Sequence, residues 1–452
     1  MIKKWIVINV IFLSYVGIAQ EFRLTEITPD FTYDEVADRI SCIENEVPLN
    51  FNDRVMAFVQ YFALKDRDYT RDIIKKKERY FPIFSEVLTK YNMPDELKYL
   101  AIVESGLEPN AVSRANAVGL WQFISSTGKM YGLNSNWYVD DRMDPYEATD
   151  AACRHLKDLY NMFHSWELAL AAYNCGPGNV KKAIRRSGYK KEFWDVYRYL
   201  PRETRSYVPQ YVAITYLFNH LDEHAFVEVP EQFFPQLDTV QINQYFHLET
   251  FCNQLGLCLD DILLWNPQIK RGALPEGTKN FALRIPFEWK DTIVKNRATL
   301  YDTASKVGKE HLEYLARNSP GSTYGRKRIA HRVRSGDVLG TIARQYGVRI
   351  SDIRSWNRLS GNMIRIGQTL SIWVLPTYTS KTKNLYTNSK TPVENVPTTV
   401  VSSGTGKTYT VKYGDSLWSI SRNANTTIEK LKKANKLDSN MIKPGQSLVI
   451  PN

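Results

Sequence analysis

A glutamate at the end of an apolar helix face is the first candidate for chemistry in this sequence. Pro94 and Asp95 predict a helix start, and Gly106 predicts its end. Between them, apolar residues recur at spacings of three and four and share one face with Glu104; they are Leu97, Leu100 and Ala101. Burial there, and the negative C-terminal end of the helix, both raise the pKa of a carboxyl group. Such a group can protonate a glycosidic oxygen as a general acid, although taken alone it is more often a structural, paired carboxylate.

Helical periodicity dominates residues 30 to 226, so Glu104 is expected to lie within a mainly helical domain. Asp144, Pro145 and Glu147 predict a capped helix start with a capping box, and this helix should run to about Tyr160. A second helix should begin near Ser165 and stop at the Gly-Pro-Gly sequence of residues 176–178.

Length and charge exclude several classes of protein. With 452 residues and 43% hydrophobic residues, the chain should form about three folded domains rather than a disordered or fibrous protein. The net charge of +11 is concentrated in residues 326–443, which hold 21 basic and 6 acidic residues. The remainder is slightly acidic, so the charge gives no reason to predict a nucleic-acid partner. The basic part would favour an anionic surface instead.

The N-terminus predicts export. Lys3 and Lys4 precede an apolar run over residues 5–16, and small residues end at Ala19, after which a signal peptidase is expected to cleave. An uncleaved membrane anchor is the alternative, but the run is shorter than a bilayer span. We expect a mature protein without an integral membrane segment, in the periplasm or cell envelope. Of the five cysteines, 153/175 and 252/258 could pair, but buried free thiols are favoured.

The C-terminal third repeats itself. The sequence Val333-Arg-Ser-Gly-Asp-Val-Leu339 returns as Val411-Lys-Tyr-Gly-Asp-Ser-Leu417, and the same offset of 78 residues relates Asn357 to Asn435 and Gly367-Gln368 to Gly445-Gln446. This constant offset indicates a duplication without gaps. Between the copies, residues 376–406 are rich in Thr, Ser, Asn, Lys and Pro, which is typical of a flexible linker.

Each copy resembles a LysM module, a small βααβ fold that binds glycans containing N-acetylglucosamine. The resemblance implies a sugar groove lined by the loop after the first strand and the segment before the last strand. In the first copy these residues are Gly336, Asp337, Val338, Leu339, Asn362, Met363 and Ile364. In the second copy they are Gly414, Asp415, Ser416, Leu417, Asn440, Met441 and Ile442. Gly336 and Gly414 could equally serve the turn alone. A fainter LysM-like stretch spans residues 248–286 without the opening Gly-Asp, and we expect a structural role for it.

The motifs around Glu104 resemble the catalytic core of soluble lytic transglycosylases, which are relatives of goose-type lysozyme. They comprise Glu104-Ser105, Ser113, Gly119-Leu-Trp-Gln-Phe123 and Ala172-Tyr-Asn174. Residues 54–64 and 203–209 narrow the resemblance to the membrane-bound lytic murein transglycosylase D type, which carries LysM modules. No lipid-attachment cysteine follows Ala19, which puts membrane attachment in doubt. The expected fold is multidomain: a mainly α lysozyme-like domain followed by small α+β LysM modules.

The domain organisation that we expect follows from these motifs. It comprises a signal peptide (1–19), a helical extension (20–80), the catalytic domain (81–226), a degenerate LysM-like module (227–290), a connector (291–328), LysM 1 (329–375), a flexible linker (376–406) and LysM 2 (407–452).

The resemblance implies a role for each motif residue. Glu104 would act as acid and then base at the bond between N-acetylmuramic acid and N-acetylglucosamine, giving a 1,6-anhydro end. Ser113 and Gln122 would hydrogen-bond the sugars, Tyr173 would orient the substrate acetamido group or Glu104, and Asn174 would hold the cleft. Trp121 would offer an apolar surface to sugar faces. Glu203 and Tyr207 lie in one motif and would bind the substrate; Glu203 would bind a substrate amide or pair with Arg202 or Arg205.

Two other functions remain open in the sequence. A hydrolytic lysozyme would need a second carboxylate, for which Asp140, Asp141 and Asp144 are available. A non-catalytic wall-binding protein would not need Glu104, Gln122, Tyr173 and Asn174 together. His220-Leu-Asp-Glu-His224 fits a zinc peptidase pattern, but a solvated helix end is the favoured interpretation. We predict no metal and no cofactor, and peptidoglycan as the partner; the oligomeric state is not predicted.

Overall fold

The computed structural model describes residues 28–226, 235–376, 407–411, 417, 420–421, 424, 426–437 and 446–451. The predicted signal peptide and nearly all of the predicted linker lie outside these residues. The chain divides into two compact units, and the second consists of Arg344–Gly347 and Thr377–Asn452. Within the described residues, no helix combines the length and the apolar character that crossing a membrane requires.

Residues 28–226 form a helical region, as the periodicity predicts. Its α-helices are α1 (Tyr33–Ile43), α2 (Asp53–Gln60), α3 (Arg67–Lys90), α4 (Leu100–Ser105), α5 (Ser125–Met130), α6 (Pro145–Phe163), α7 (Trp166–Cys175), α8 (Pro177–Arg186), α9 (Phe193–Val196) and α10 (Arg202–Asn219). One hydrophobic core extends from Val36 to Phe226 and includes residues of nearly all of them. Residue 80, the expected boundary of the catalytic domain, falls inside α3.

The two helix starts that the sequence predicts are present. The Asp144 side chain accepts hydrogen bonds from the amides of Tyr146 and Glu147, and Pro145 occupies the first turn of α6. The second hydrogen bond of the predicted capping box, from the Asp144 amide to the Glu147 side chain, does not form. The Asp144 amide donates to the Asp141 carbonyl in the preceding turn instead. Ser165 caps α7, which ends at Gly176 with φ +83°.

Residues 235–376 contain two βααβ modules. The LysM-like module comprises β1 (Leu237–Ile242), β2 (Phe246–His247), α11 (Leu248–Leu255), α12 (Leu259–Trp265), β3 (Ala273–Leu274) and β4 (Phe281–Pro286). After α13 (Lys290–Lys295), α14 (Arg297–Ala304) and α15 (Lys309–Asn318), the next module comprises β5 (Lys327–Arg332), α16 (Leu339–Tyr346), α17 (Ile350–Trp356) and β6 (Thr369–Val374). In both modules the first and last strands pair antiparallel.

The second unit has the same elements in its described residues, namely β7 (Lys407–Thr410), α18 (Ile428–Ala434) and β8 (Ser447–Ile450). Strands β7 and β8 pair antiparallel. Val411, Leu417, Ile420, Leu431 and Leu448 form its core.

One asparagine joins the second helix to the last strand in every module. Asn357 accepts a hydrogen bond from the Ser371 amide at 2.7 Å and donates to the Ser371 carbonyl at 2.9 Å. Asn435 makes the same two bonds to Val449, and Asn266 makes them to Arg284. The LysM-like module therefore shares this pair of hydrogen bonds with the two LysM modules.

Candidate active site

Glu104 lies in the last turn of α4, as the sequence predicts. Leu97, Leu100 and Ala101 are fully buried beneath it. Gly106 ends the helix with φ +59°, and a Cβ at this position would lie 2.8 Å from the Tyr69 hydroxyl oxygen. Glycine adopts this backbone angle without strain, and a side chain at this position would displace the Tyr69 hydroxyl.

The Glu104 carboxyl group has a pKa near neutral pH. Burial raises its pKa to about 7, and the negative charge of Glu203 acts in the same direction. The hydroxyl of Tyr207 donates a hydrogen bond to Glu104 Oε1, which lowers the pKa and limits the rise. A carboxyl group with this pKa can both release and accept a proton at neutral pH, as an acid that later acts as a base requires.

A cleft of about 740 Å³ opens beside Glu104. Its walls include every residue that the sequence assigns to glycan binding in the catalytic domain except Trp121: Ser113, Gln122, Tyr173, Asn174, Glu203 and Tyr207. Hydroxyl, amide and carboxyl groups thus converge on one cavity, which suits a polar sugar polymer.

The cleft wall formed by residues 111–123 is shaped by its backbone. Antiparallel bridges join Val118 to Val112 and to Phe123. Gln122 has φ +47°, and its side-chain amide donates to the carbonyls of Gly119 at 2.9 Å and Ala111 at 3.3 Å. The Ser113 hydroxyl accepts from the Ala117 amide at 3.0 Å. Both predicted sugar-binding side chains are therefore held in place by their own loop.

The prediction for Trp121 is wrong. Its side chain has no exposed surface, its indole N–H donates to the Thr149 hydroxyl at 2.9 Å, and its ring packs edge-on against Phe84. Gln122 and Phe123 both line the cleft, Phe123 with only 2% of its surface exposed, whereas Trp121 lies entirely in the core.

Tyr173 supports the cleft floor rather than the acid. Its hydroxyl donates to the Trp121 carbonyl at 2.8 Å, so the role of orienting Glu104 passes to Tyr207. The Asn174 side-chain oxygen accepts from the Thr204 hydroxyl at 2.8 Å and ties α7 to α10. The sequence predicts substrate binding for Tyr207 and Glu203 together but not the contact of Tyr207 with Glu104; their spacing of four residues on α10 places both on one face.

Glu203 lies in the cleft as an exposed carboxylate. Within the described residues it makes no ion pair with Arg202 or Arg205; the Arg205 guanidinium instead donates to the carbonyls of Leu200 and Arg198. The ion-pair alternative is therefore not what the structure shows. Sequence reasoning missed His155, which also lines the cleft and whose pKa is lowered to about 4 by burial.

The other candidate carboxylates lie outside the cleft lining. Asp140 is 3% exposed and pairs with Arg142 at 2.8 Å. Asp144 caps α6 and pairs with Arg284 at 2.8 Å. Asp141 accepts from the Asn134 amide. Each of these aspartates is engaged in holding the fold.

Some of the residues predicted to line the LysM sugar grooves are exposed, and others are buried. In the first LysM module Val338 and Met363 are 56% and 91% exposed, and Gly336 turns with φ +87°. Asn362 is exposed and Ile364 is partly exposed, whereas the Asp337 carboxylate accepts from the Arg334 amide at 2.8 Å and shapes the turn.

Leu339 and its counterpart Leu417 are each only 2% exposed, so both belong to the cores and not to a groove surface. Leucine at the first turn of an amphipathic helix is drawn inward by its apolar side chain. The remaining predicted groove residues of the second module lie outside the described residues: Gly414, Asp415, Ser416, Asn440, Met441 and Ile442.

The His-x-x-Glu-His sequence packs against the helical core. His224 is 1% exposed, and its Nε2 lies 2.8 Å from the Tyr216 hydroxyl. His220 Nδ1 lies 3.1 Å from Glu223 Oε1. Across the described ranges no group of three or more His, Cys, Asp or Glu side chains could hold a metal ion. The five cysteines are free, and Cys153 and Cys252 are buried.

Three domain families match the chain in order. The transglycosylase SLT domain matches residues 81–195, the LysM-like domain of lytic transglycosylase MltD matches residues 236–302, and the LysM domain matches residues 331–373 and 409–451.

The chain is also similar to known proteins in sequence and in structure. The chain is 29% identical over 433 residues to the membrane-bound lytic murein transglycosylase D of Escherichia coli (strain K12), which covers 94% of this chain and 87% of the relative. It is 32% identical over 133 residues to an autolysin of Enterococcus faecalis, which covers 29% of this chain and 16% of the relative. The solved 70 kDa soluble lytic transglycosylase SLT70 of E. coli aligns with a TM-score of 0.29 and 19% identity over 41% of this chain and 34% of that chain. With an SLT domain, an MltD-type LysM-like domain and two LysM domains in this order, the chain is a homologue of the membrane-bound lytic murein transglycosylase D along almost its whole length.

Proposed function

We propose that the protein cleaves the β-1,4 bond between N-acetylmuramic acid and N-acetylglucosamine in peptidoglycan and leaves a 1,6-anhydro end. The observation that carries this proposal is Glu104, hydrogen-bonded to Tyr207 and with a pKa of about 7, in a cleft lined with sugar-binding groups.

The reaction uses Glu104 twice. Its protonated carboxyl group donates to the glycosidic oxygen as the bond to C1 of the muramic acid breaks. The substrate's own acetamido group stabilises the positive charge that develops at C1. The 6-hydroxyl of the same sugar then bonds to C1 and gives its proton to the Glu104 carboxylate. No water is consumed, and the enzyme ends in its starting protonation state.

Tyr207 orients the carboxyl group and holds its pKa near neutrality. Ser113 and Gln122 hydrogen-bond the sugar hydroxyl and acetamido groups from the loop wall. Tyr173 holds the loop wall through the Trp121 carbonyl, and Asn174 ties α7 to α10 through Thr204.

The second candidate is a hydrolytic lysozyme, and Glu203 is the observation that favours it. Water attack at C1 would call for a second carboxylate in the cleft. Among the described lining residues Glu203 is the only other carboxylate, since Asp140 and Asp144 are paired with arginines elsewhere.

Replacing Glu104 by glutamine tests the proposal. E104Q preserves the shape of the side chain but has no acidic proton, so product release from purified sacculi should stop while sacculus binding persists. E310Q makes the same change at an exposed position of α15 outside the lining of this cleft, so it is the matched control and should retain release. Release by E104Q at the wild-type rate would refute Glu104 as the acid.

We also propose that the LysM modules hold the enzyme on the peptidoglycan and that the chain works in the periplasm after export. The exposed Val338 and Met363 support glycan contact in the first module. Tethered modules raise the effective concentration of the catalytic domain along a polymer. The basic residues of this part favour an anionic envelope surface, in a manner that salt weakens.

A further inference from the structure

Arg142 connects two separate parts of the structure. Its guanidinium makes a two-pronged contact with the Asp140 carboxylate, at 2.9 Å from Nε and 2.8 Å from Nη2. Its Nη1 donates to the carbonyls of Phe123 at 3.1 Å and Asn116 at 3.3 Å. These two carbonyls belong to the cleft wall that presents Gln122. The side chains of Arg142 and Asp140 are only 11% and 4% exposed, so this ion pair is well shielded from water.

The backbone of Arg142 also packs against this wall. A Cβ on Gly119 would lie 1.8 Å from the Arg142 carbonyl oxygen, and Gly119 has φ +87°. No other residue type could occupy that position without moving the wall away from Arg142. Arg142 therefore contacts the wall through both its main chain and its side chain.

The other side of the Asp140–Arg142 pair is held by the LysM-like module. The Asp140 amide donates to the Gln268 carbonyl at 2.9 Å, and the Lys270 amide donates to the Tyr138 carbonyl at 2.8 Å. A β-bridge joins Val139 to Ile269.

A second contact lies close by. Arg284 on β4 donates to both carboxylate oxygens of Asp144, at 2.8 and 3.0 Å. Asp144 is 5% exposed and caps α6, so this pair links the start of that helix to the LysM-like module. Tyr138 and Val139 of the helical region lie in the core of the LysM-like module itself.

We propose that Arg142 is a positioning residue for the glycan-binding wall and that the LysM-like module is a brace that fixes the Asp140–Arg142 pair. This inference rests on the proposed function. It assigns the module a role in substrate positioning that needs no sugar-binding groove of its own. It also explains why a degenerate LysM module sits behind the catalytic cleft.

Lysine cannot replace Arg142 in this role. Guanidinium has five donors in a planar fork, which serves one carboxylate and two carbonyls at once, whereas an ammonium group is a compact point charge. R142K therefore retains the positive charge beside Asp140 but loses the hydrogen bonds to the carbonyls of Asn116 and Phe123.

Steady-state kinetics of the full chain on soluble, uncrosslinked glycan strands test the proposal. R142K should raise KM about tenfold, the change expected when charged hydrogen bonds to the substrate wall are lost. The kcat should stay within about twofold and the pH profile should stay unchanged, because Glu104 and Tyr207 stand on other elements. R154K is the control: Arg154 also pairs with an aspartate, Asp150, and donates to the Tyr131 carbonyl, but within the described residues it makes no hydrogen bond to residues 111–123.

Hydrogen exchange gives a second readout that does not depend on activity. In R142K the amides of residues 111–123 should exchange faster, while those of α7 should keep their wild-type protection. R284M removes the contacts of Arg284 with Asp144, the Trp265 carbonyl and the Tyr146 ring, and it should raise KM about threefold and loosen the same segment.

An R142K enzyme with wild-type KM and wild-type protection of residues 111–123 would overturn the positioning role. If R142K does not fold, R284M provides the test instead. A wild-type KM and wild-type hydrogen exchange of residues 111–123 in R284M would overturn the bracing role of the LysM-like module. A wild-type chain that releases no product would instead count against the proposed function, and the exchange comparison would still test the wall.

Discussion

Replacing Glu104 by glutamine should stabilise the protein at alkaline pH while it abolishes activity. Burial raises the pKa of this carboxyl from its ordinary value of 4.5 to about 7, so the folded protein favours the protonated form. Below pH 4.5 the group is protonated in both folded and unfolded chains. As the pH rises, the unfolded chain loses its proton first, and folding loses about 1.4 kcal/mol per pH unit until the folded carboxyl also ionises.

The full loss, complete above about pH 7, is about 3 kcal/mol for this difference in pKa. Glutamine has no such proton, so the advantage of E104Q over the wild type should grow by about 3 kcal/mol between pH 4 and pH 8. Urea unfolding at both pH values, followed by tryptophan fluorescence, measures it. E310Q, on an exposed part of α15, should change stability by less than about 0.5 kcal/mol at either pH. Equal stability differences for E104Q at pH 4 and pH 8 would refute the raised pKa.

Three further outcomes are expected. Y207F removes the hydrogen bond that lowers the pKa of Glu104, so the alkaline limb of kcat/KM should move up by about one pH unit; an unmoved limb would contradict that contact. W121F should cost about 1–3 kcal/mol of unfolding free energy, because it leaves the Thr149 hydroxyl without its donor, and should leave KM unchanged; a raised KM in a protein of wild-type stability would restore Trp121 as a sugar contact. Deletion of residues 329–452 should weaken binding to insoluble sacculi far more than turnover of short soluble glycans, and equal losses would argue against a targeting role.

Local patterns in the sequence predicted the parts of the fold that depend on neighbouring residues. The Asp144 cap, the Ser165 start and the Gly106 stop are fixed by side chains within a few residues of the helix ends. The position of Glu104 beside a buried apolar face follows from helical spacing alone. The repeat offset predicted the equivalent roles of Asn357 and Asn435 in the two LysM modules.

Contacts across long stretches of chain could not be read from such patterns. Tyr207 meets Glu104 across 103 residues, and Arg284 meets Asp144 across 140 residues. Helical or strand periodicity carries no information about which distant element a polar group will face. Trp121 was misassigned because local patterns do not show that its indole N–H meets the Thr149 hydroxyl, 28 residues away, in the core.

Mass analysis of the glycans released from purified sacculi tests the central claim most directly. If the muramic acid 6-hydroxyl attacks C1 while Glu104 acts as acid and then base, the products carry 1,6-anhydro ends. They are then lighter by one water than hydrolytic products of the same composition. Products that carry only reducing ends would contradict the account and would identify a hydrolase, with Glu203 as its second carboxylate.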